Sequence, residues 1–189
     1  MLSRREATTP THQKKGAVAV PCKSLLNTVH FRTGINTHVF DALRHSLQKM
    51  SEKDWYCCLL FDEMSIRENV RFNQKFNCVE GFEDLGSKGR MCNIANHALL
   101  FMDRGLHRKW KQPVAYYLSC GSTKAEMLVQ FLKEVLDACQ NVGLHVVATV
   151  CDMGTNNVKA MRLLGSSGKS HSSSFKVKKL QQYMILHTS

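Results

Sequence analysis

A mixed α/β sheet with flanking helices follows from three features of this 189-residue sequence. Short apolar runs of strand length recur between Trp55 and Cys120, a stripe of helical period fills residues 123–143, and an almost wholly apolar run, "LHVVATVCD", follows it. Strands joined by short connections pair antiparallel, whereas a helix between strands can return the chain to the sheet as a parallel neighbour.

Taken in order, residues 1–33 are polar, basic and aperiodic, and read as a disordered segment. "TGINTHVFDALRHSLQKMSEKDW" reads as a helix, with Thr37 as its cap and Val39, Phe40, Leu43, Leu47 and Met50 as one apolar stripe. "WYCCLLFDEMSI" is a buried strand that ends in Asp62 and Glu63. "VRFNQKFNCVEGFEDLGSKGR" is half polar with glycines, which suits a strand or extended hairpin followed by a loop. "NHALLFMDRG" and "QPVAYYLSC" are two further strands, joined by the basic stretch "RGLHRKWK".

The strongest helix signal comes next. Thr123 and Glu126 have capping-box spacing, Leu128, Phe131, Leu132, Val135, Leu136 and Cys139 form one face, and Gly143 closes the helix. "LHVVATVCD" is then a strand and "NNVKAMRLLG" a short helix. Residues 166–189 have the texture of a Ser-rich linker followed by a basic tail.

Composition narrows the classes. Lys+Arg 26 against Asp+Glu 15 gives a net charge of +11, which favours polyanionic partners such as DNA; a basic surface with disordered basic ends is the alternative. The eight cysteines form no C-x-x-C pair and several sit in apolar runs, so neither a zinc site nor a disulfide framework is supported. "AVAV" near the N-terminus is too short for a signal peptide, and "WYCCLLF" is too short to span a membrane. The expectation is an intracellular, reduced, soluble protein.

Asp62 and Asp152 each end an apolar run. If the helix at 123–143 lays its following strand beside the first, both carboxylates meet at one sheet edge. Two close carboxylates repel unless a proton or a cation joins them, and oxygen-rich sites suit Mg2+ or Mn2+. On the residues alone the alternative stands: Asp152 caps the helix beginning near Asn156, and Asp62 ends its strand by chance.

"CCLLFDEMSI", "NHALLFMDRGLHRKWKQPVAYYLS" and "GLHVVATVCDMGTNN", in that order, resemble the P-element-type transposases, including the THAP-domain transposases of animals. The resemblance spans about Thr33 to Gly165 and implies that residues 34–165 form part of an RNase H-like domain, incomplete at its C-terminal side. It implies metal-dependent DNA cleavage and strand transfer, a nuclear location, and Asp62 and Asp152 as catalytic metal ligands for Mg2+ or Mn2+. Glu63 is expected on the other side of the pleat.

The family also implies a third acid far downstream, yet residues 153–189 contain neither Asp nor Glu. Glu63, Asp84 and Asp103 remain by elimination, with Asp103 better suited to the "MDRG" turn. No C-x2–4-C with a matching C-x-x-H occurs, so the family's zinc-binding module is not expected, and its guanine-nucleotide-binding insertion would lie beyond residue 189. "YMILHT", read two bases on with permitted codons, gives Tyr-Asp-Thr-Pro-His-Leu, as a frameshifted tail would.

The expected protein is therefore a transposase catalytic-domain fragment, inactive alone and loosely binding a divalent ion. DNA contact would be non-specific, through Arg104, Arg108, Lys109 and Lys111, unless these form only a solvated loop. Self-association, or association with intact transposase, is a further expected contact. The alternative is a transposon-derived, non-enzymatic DNA- or partner-binding protein.

Overall fold

The computed structural model describes residues 32–74 and 77–166. The expected disorder of residues 1–31, and the linker and tail beyond Ser166, lie outside the described residues. Among the described residues the order is β1 (Gly34–Ile35), α1 (Thr37–Leu47), β2 (Tyr56–Ser65), β3 (Arg71–Asn73), β4 (Cys78–Glu80), β5 (Phe82–Asp84), β6 (Arg90–Ile94), β7 (His97–Gly105), β8 (Lys111–Ser119), α2 (Ala125–Val142), β9 (His145–Val150) and α3 (Thr155–Ser166).

The main sheet has seven strands in the order β6-β5-β8-β7-β2-β9, with β1 also pairing to β8, while β3 and β4 form a separate ribbon. A short turn makes β7–β8 antiparallel, and the chain returns from β2 to pair antiparallel with β7 only after β3–β6. Helix α2 then carries the chain from β8 across to β9, which pairs parallel to β2. Mixed pairing thus follows from one helical crossover in an otherwise antiparallel sheet.

Alternation along the strands separates two faces. Cys57, Leu59 and Phe61 of β2, Leu99 and Phe101 of β7, and Tyr117 of β8 are at most 3% exposed and face the core. Leu128, Phe131, Leu132, Val135 and Cys139 of α2 pack in the same cluster, as do Val39, Phe40, Leu43 and Leu47 of α1. Phe131 stacks on Tyr117 with ring centroids 3.7 Å apart. Burying such side chains stabilises by roughly 1.5–3 kcal/mol each. The opposite face, bearing Cys58, Leu60, Leu100, Met102 and Leu118, is half-buried.

Several expectations are corrected. Helix α1 ends at Leu47 rather than running to Trp55, because the chain folds back and the Trp55 indole donates to the Leu47 carbonyl, 3.3 Å away. Its cap is Asn36, whose side chain accepts from the Val39 amide; Thr37 is the first helical residue. The capping box at α2 does not form. Lys124 occupies the cap position without a side-chain bond, and Thr123 is held by Glu63 instead. Gly143 does close α2, in the left-handed conformation with φ +97°. Strand β6 follows the expected loop and matches none of the expected elements; it is an exposed edge whose residues show no buried alternation to betray it.

Candidate functional site

The acid edge is set by strand register. Leu60 pairs with Val150 in the parallel β2–β9 ladder, so Asp62 and Asp152 each lie two residues beyond the same rung. A bulge shifts the register between Cys57 and Cys58: Val146 opposes Cys57, and Ala148 opposes Cys58. The extra residue, Val147, reverses the alternation of β9. Ala148 and Val150 therefore share the half-buried face with Cys58, Leu60 and Asp62, while Thr149 faces α3, where its hydroxyl lies 3.9 Å from the Met161 sulfur.

Both carboxylates are exposed, and neither forms an ion pair with another described residue. Asp62 Oδ1 accepts from the Glu63 amide at 2.9 Å. Asp152 Oδ1 accepts from the Gly154 amide at 3.0 Å and from the Asn157 side-chain amide. Asp152 thus braces the turn that leads into α3. The thiol of Cys151 lies within electrostatic reach of both: burial first, then Asp152 and Asp62, push its pKa up to about 11.

Glu63 has a structural task. Its Oε1 accepts from the Thr123 amide at 2.8 Å and the Thr123 hydroxyl at 2.6 Å, and its Oε2 accepts from the Ser122 hydroxyl at 2.6 Å. It thereby ties the end of β2 to the N-terminus of α2, where an anion is favoured. The Asn156 side chain donates to the Ser122 hydroxyl at 3.4 Å, and Lys159 pairs with Glu126 at 2.7 Å, so α3 joins the same assembly. This clamp spans 60 residues and left no local pattern by which the sequence could announce it.

The other acids named by elimination are committed elsewhere. Asp84 accepts both Arg90 Nε and Nη2, at 3.0 and 2.9 Å, and the Gly86 amide at 3.1 Å. Asp103 does not serve a turn; it sits within β7, fully buried, on the core face. Its Oδ2 accepts from the Cys139 thiol at 3.3 Å, and its Oδ1 has no hydrogen-bond partner among the described residues. Burial pushes its pKa up to about 6, with the Cys139 thiol partly offsetting the shift.

Among the described residues no three His, Cys, Asp or Glu side chains converge as a metal site. Asp62 and Asp152 do supply hard oxygen donors at one edge without a cationic neighbour, which fits one divalent ion held largely by water. No described helix is long and apolar enough to cross a membrane.

The basic stretch lies at the other end of the sheet. Gly105 pairs with Cys57, five residues before Asp62, so the turn after β7 is about 17 Å along the strand from the acid edge. Phosphates held at the two places would be separate contacts.

The profile of the TNP-like, RNase H N-terminal domain family matches residues 31–165. The human DNA transposase THAP9 is 22% identical over 136 residues, which is 70% of this chain and 15% of that protein. The Transposable element P transposase of Drosophila melanogaster is 30% identical over 118 residues, covering 62% of this chain and 13% of that protein. The chain is therefore similar to a small part of each curated relative. The solved Drosophila P element transposase strand transfer complex superposes with a TM-score of 0.55 at 25% identity, over 76% of this chain and 28% of that one.

Proposed function

The chain belongs to the TNP-like, RNase H N-terminal domain family, and from that premise we propose that it carries part of a divalent-metal site for DNA phosphoryl transfer. The observation that supports this reading is the β2–β9 register, which sets Asp62 and Asp152 two residues past a common rung. Asp62 and Asp152 would hold Mg2+ or Mn2+, and the ion would supply charge neutralisation at a scissile phosphate. The protein's own contribution is placement: β2 presents Asp62, the Asp152 turn is braced by Gly154 and Asn157, and the Glu63 clamp fixes the neighbouring α2 terminus.

Two carboxylates cannot anchor two ions against their mutual repulsion. Glu63, Asp84 and Asp103 are engaged elsewhere, and residues 153–189 contain no acid. These 189 residues alone are therefore inactive in this reading, and a cutting site needs a further acid beyond them. DNA contact in the nucleus, without sequence preference, completes the reading. The test is cleavage of supercoiled plasmid carrying family-type ends in Mg2+ and in Mn2+, beside Asp62→Ala and Asp152→Ala. Metal-dependent cutting by the unaltered chain, lost in both variants, would overturn the inactivity but retain the site. Cutting that both variants keep would overturn the site.

A further inference from the structure

We infer that the turn joining β7 to β8, at the end of the sheet away from the acid pair, is a metal-independent surface for the phosphate backbone of duplex DNA. The overall charge conceals how local this surface is. Residues 1–31 and 167–189 hold nine of the 26 Lys+Arg but one of the 15 Asp+Glu, leaving 17 basic and 14 acidic residues between them. That central part is nearly balanced, yet its charges are unevenly placed. From Arg104 to Ala125 the sequence has no acid at all.

Arg104, Arg108, Lys109 and Lys111 are exposed, and none joins an ion pair among the described residues, whereas Arg44, Arg71, Lys88, Arg90 and Lys159 all do. Asp103, the nearest acid in sequence, is buried on the other side of the strand. Four cations so placed repel one another and gain most from a polyanion whose counterions they release.

The turn is also held in shape before any ligand arrives. The Gly105 amide donates to the Trp110 carbonyl at 3.0 Å, the Trp110 amide to the Arg108 carbonyl at 2.9 Å, and the Leu106 amide to the Tyr56 carbonyl at 3.0 Å. The Trp110 indole packs across Gly105, where a Cβ would come within 2.6 Å of the Arg108 carbonyl oxygen. Beside the turn, Tyr56 is 45% exposed and its ring lies 5.1 Å from that of His145. Exposed cations on a fixed turn match what the phosphate backbone of duplex DNA requires of a protein surface. A flexible solvated loop would have neither the cross-turn hydrogen bonds nor the indole brace.

The inference rests on the DNA reading above but not on the acid pair, so it is tested without metal. The full chain would be titrated into labelled duplex in EDTA at several salt concentrations. The arms are R108A/K109A, K88A/K133A as a charge-matched pair around α2, and D62A/D152A. Both tryptophans, Trp55 and Trp110, lie at this end of the sheet, so their emission reports the surface directly. R108A/K109A should lower the salt slope by about 2 and abolish the emission change, because each phosphate contact contributes about 0.9. K88A/K133A should leave both readouts unchanged and D62A/D152A should not weaken metal-free binding, with melting curves verifying that every variant folds. Equal losses in the two basic pairs, or none in R108A/K109A, would overturn the inference. Loss of metal-free binding in D62A/D152A would do so too, and no binding by any chain would overturn the DNA reading with it.

Discussion

Asp62 and Asp152 lie 90 positions apart in sequence and two residues past one rung, Leu60 opposite Val150, of the parallel β2–β9 ladder. Neither has a cationic partner among the described residues, which leaves both exposed carboxylates open to a divalent cation. Mn2+ titrated into the chain and followed by electron paramagnetic resonance should show weak binding, in the millimolar range typical of a mostly hydrated ion on about two carboxylates. Asp62→Ala or Asp152→Ala should remove it. Binding that survives both changes places the ion elsewhere.

Glu63 separates the clamp from the metal edge. Glu63→Ala leaves the Thr123 amide and hydroxyl and the Ser122 hydroxyl without their acceptor, at a cost of about 1–3 kcal/mol. Urea unfolding should show that loss, while Mn2+ affinity stays within about twofold of the original. A reversed pattern, with intact stability and lost metal binding, would make Glu63 a ligand.

Asp103 sets a pH dependence of stability. Its carboxyl is raised to about 6 in the folded chain, from an ordinary value near 3.8, so the folded state holds its proton more tightly. Between these values the native chain binds more protons than the unfolded one, and stability falls as pH rises. The penalty is complete above about pH 6 and is of the order of 3 kcal/mol. Asp103→Asn should melt higher than the original chain at pH 8 and much closer to it at pH 4. Parallel melting profiles across that range would show that Asp103 ionises freely.

Leu132 is fully buried against the sheet, whereas Leu136 is only partly covered at the margin of the same cluster. Leu132→Ala should cost roughly 2–5 kcal/mol, and Leu136→Ala distinctly less. Equal losses in chemical denaturation would mean that α2 is rotated from the orientation described.

The elements with regular local patterns were legible in the sequence. The stripe from Leu128 to Cys139 gave α2 because a helix repeats its buried face every three to four residues, and Gly143 marked its end because glycine enters the left-handed region without strain. The apolar runs gave β2, β7, β8 and β9, and motif resemblance singled out Asp62 and Asp152 among fifteen acids. The tertiary structure alone decided what depends on partners distant in the chain. The bulge at Val147 appears only when β9 is laid against β2, and it determines which residues share the face of Asp62. Glu63 found Thr123 across 60 residues, which dissolved a capping box that local spacing had suggested. Asp103 reads as a turn residue beside Arg104 and Gly105, yet the alternation of β7 turns it inward against Cys139. The division has one cause: periodicity records which side of an element is buried, while the chemistry of a side chain depends on what is buried against it.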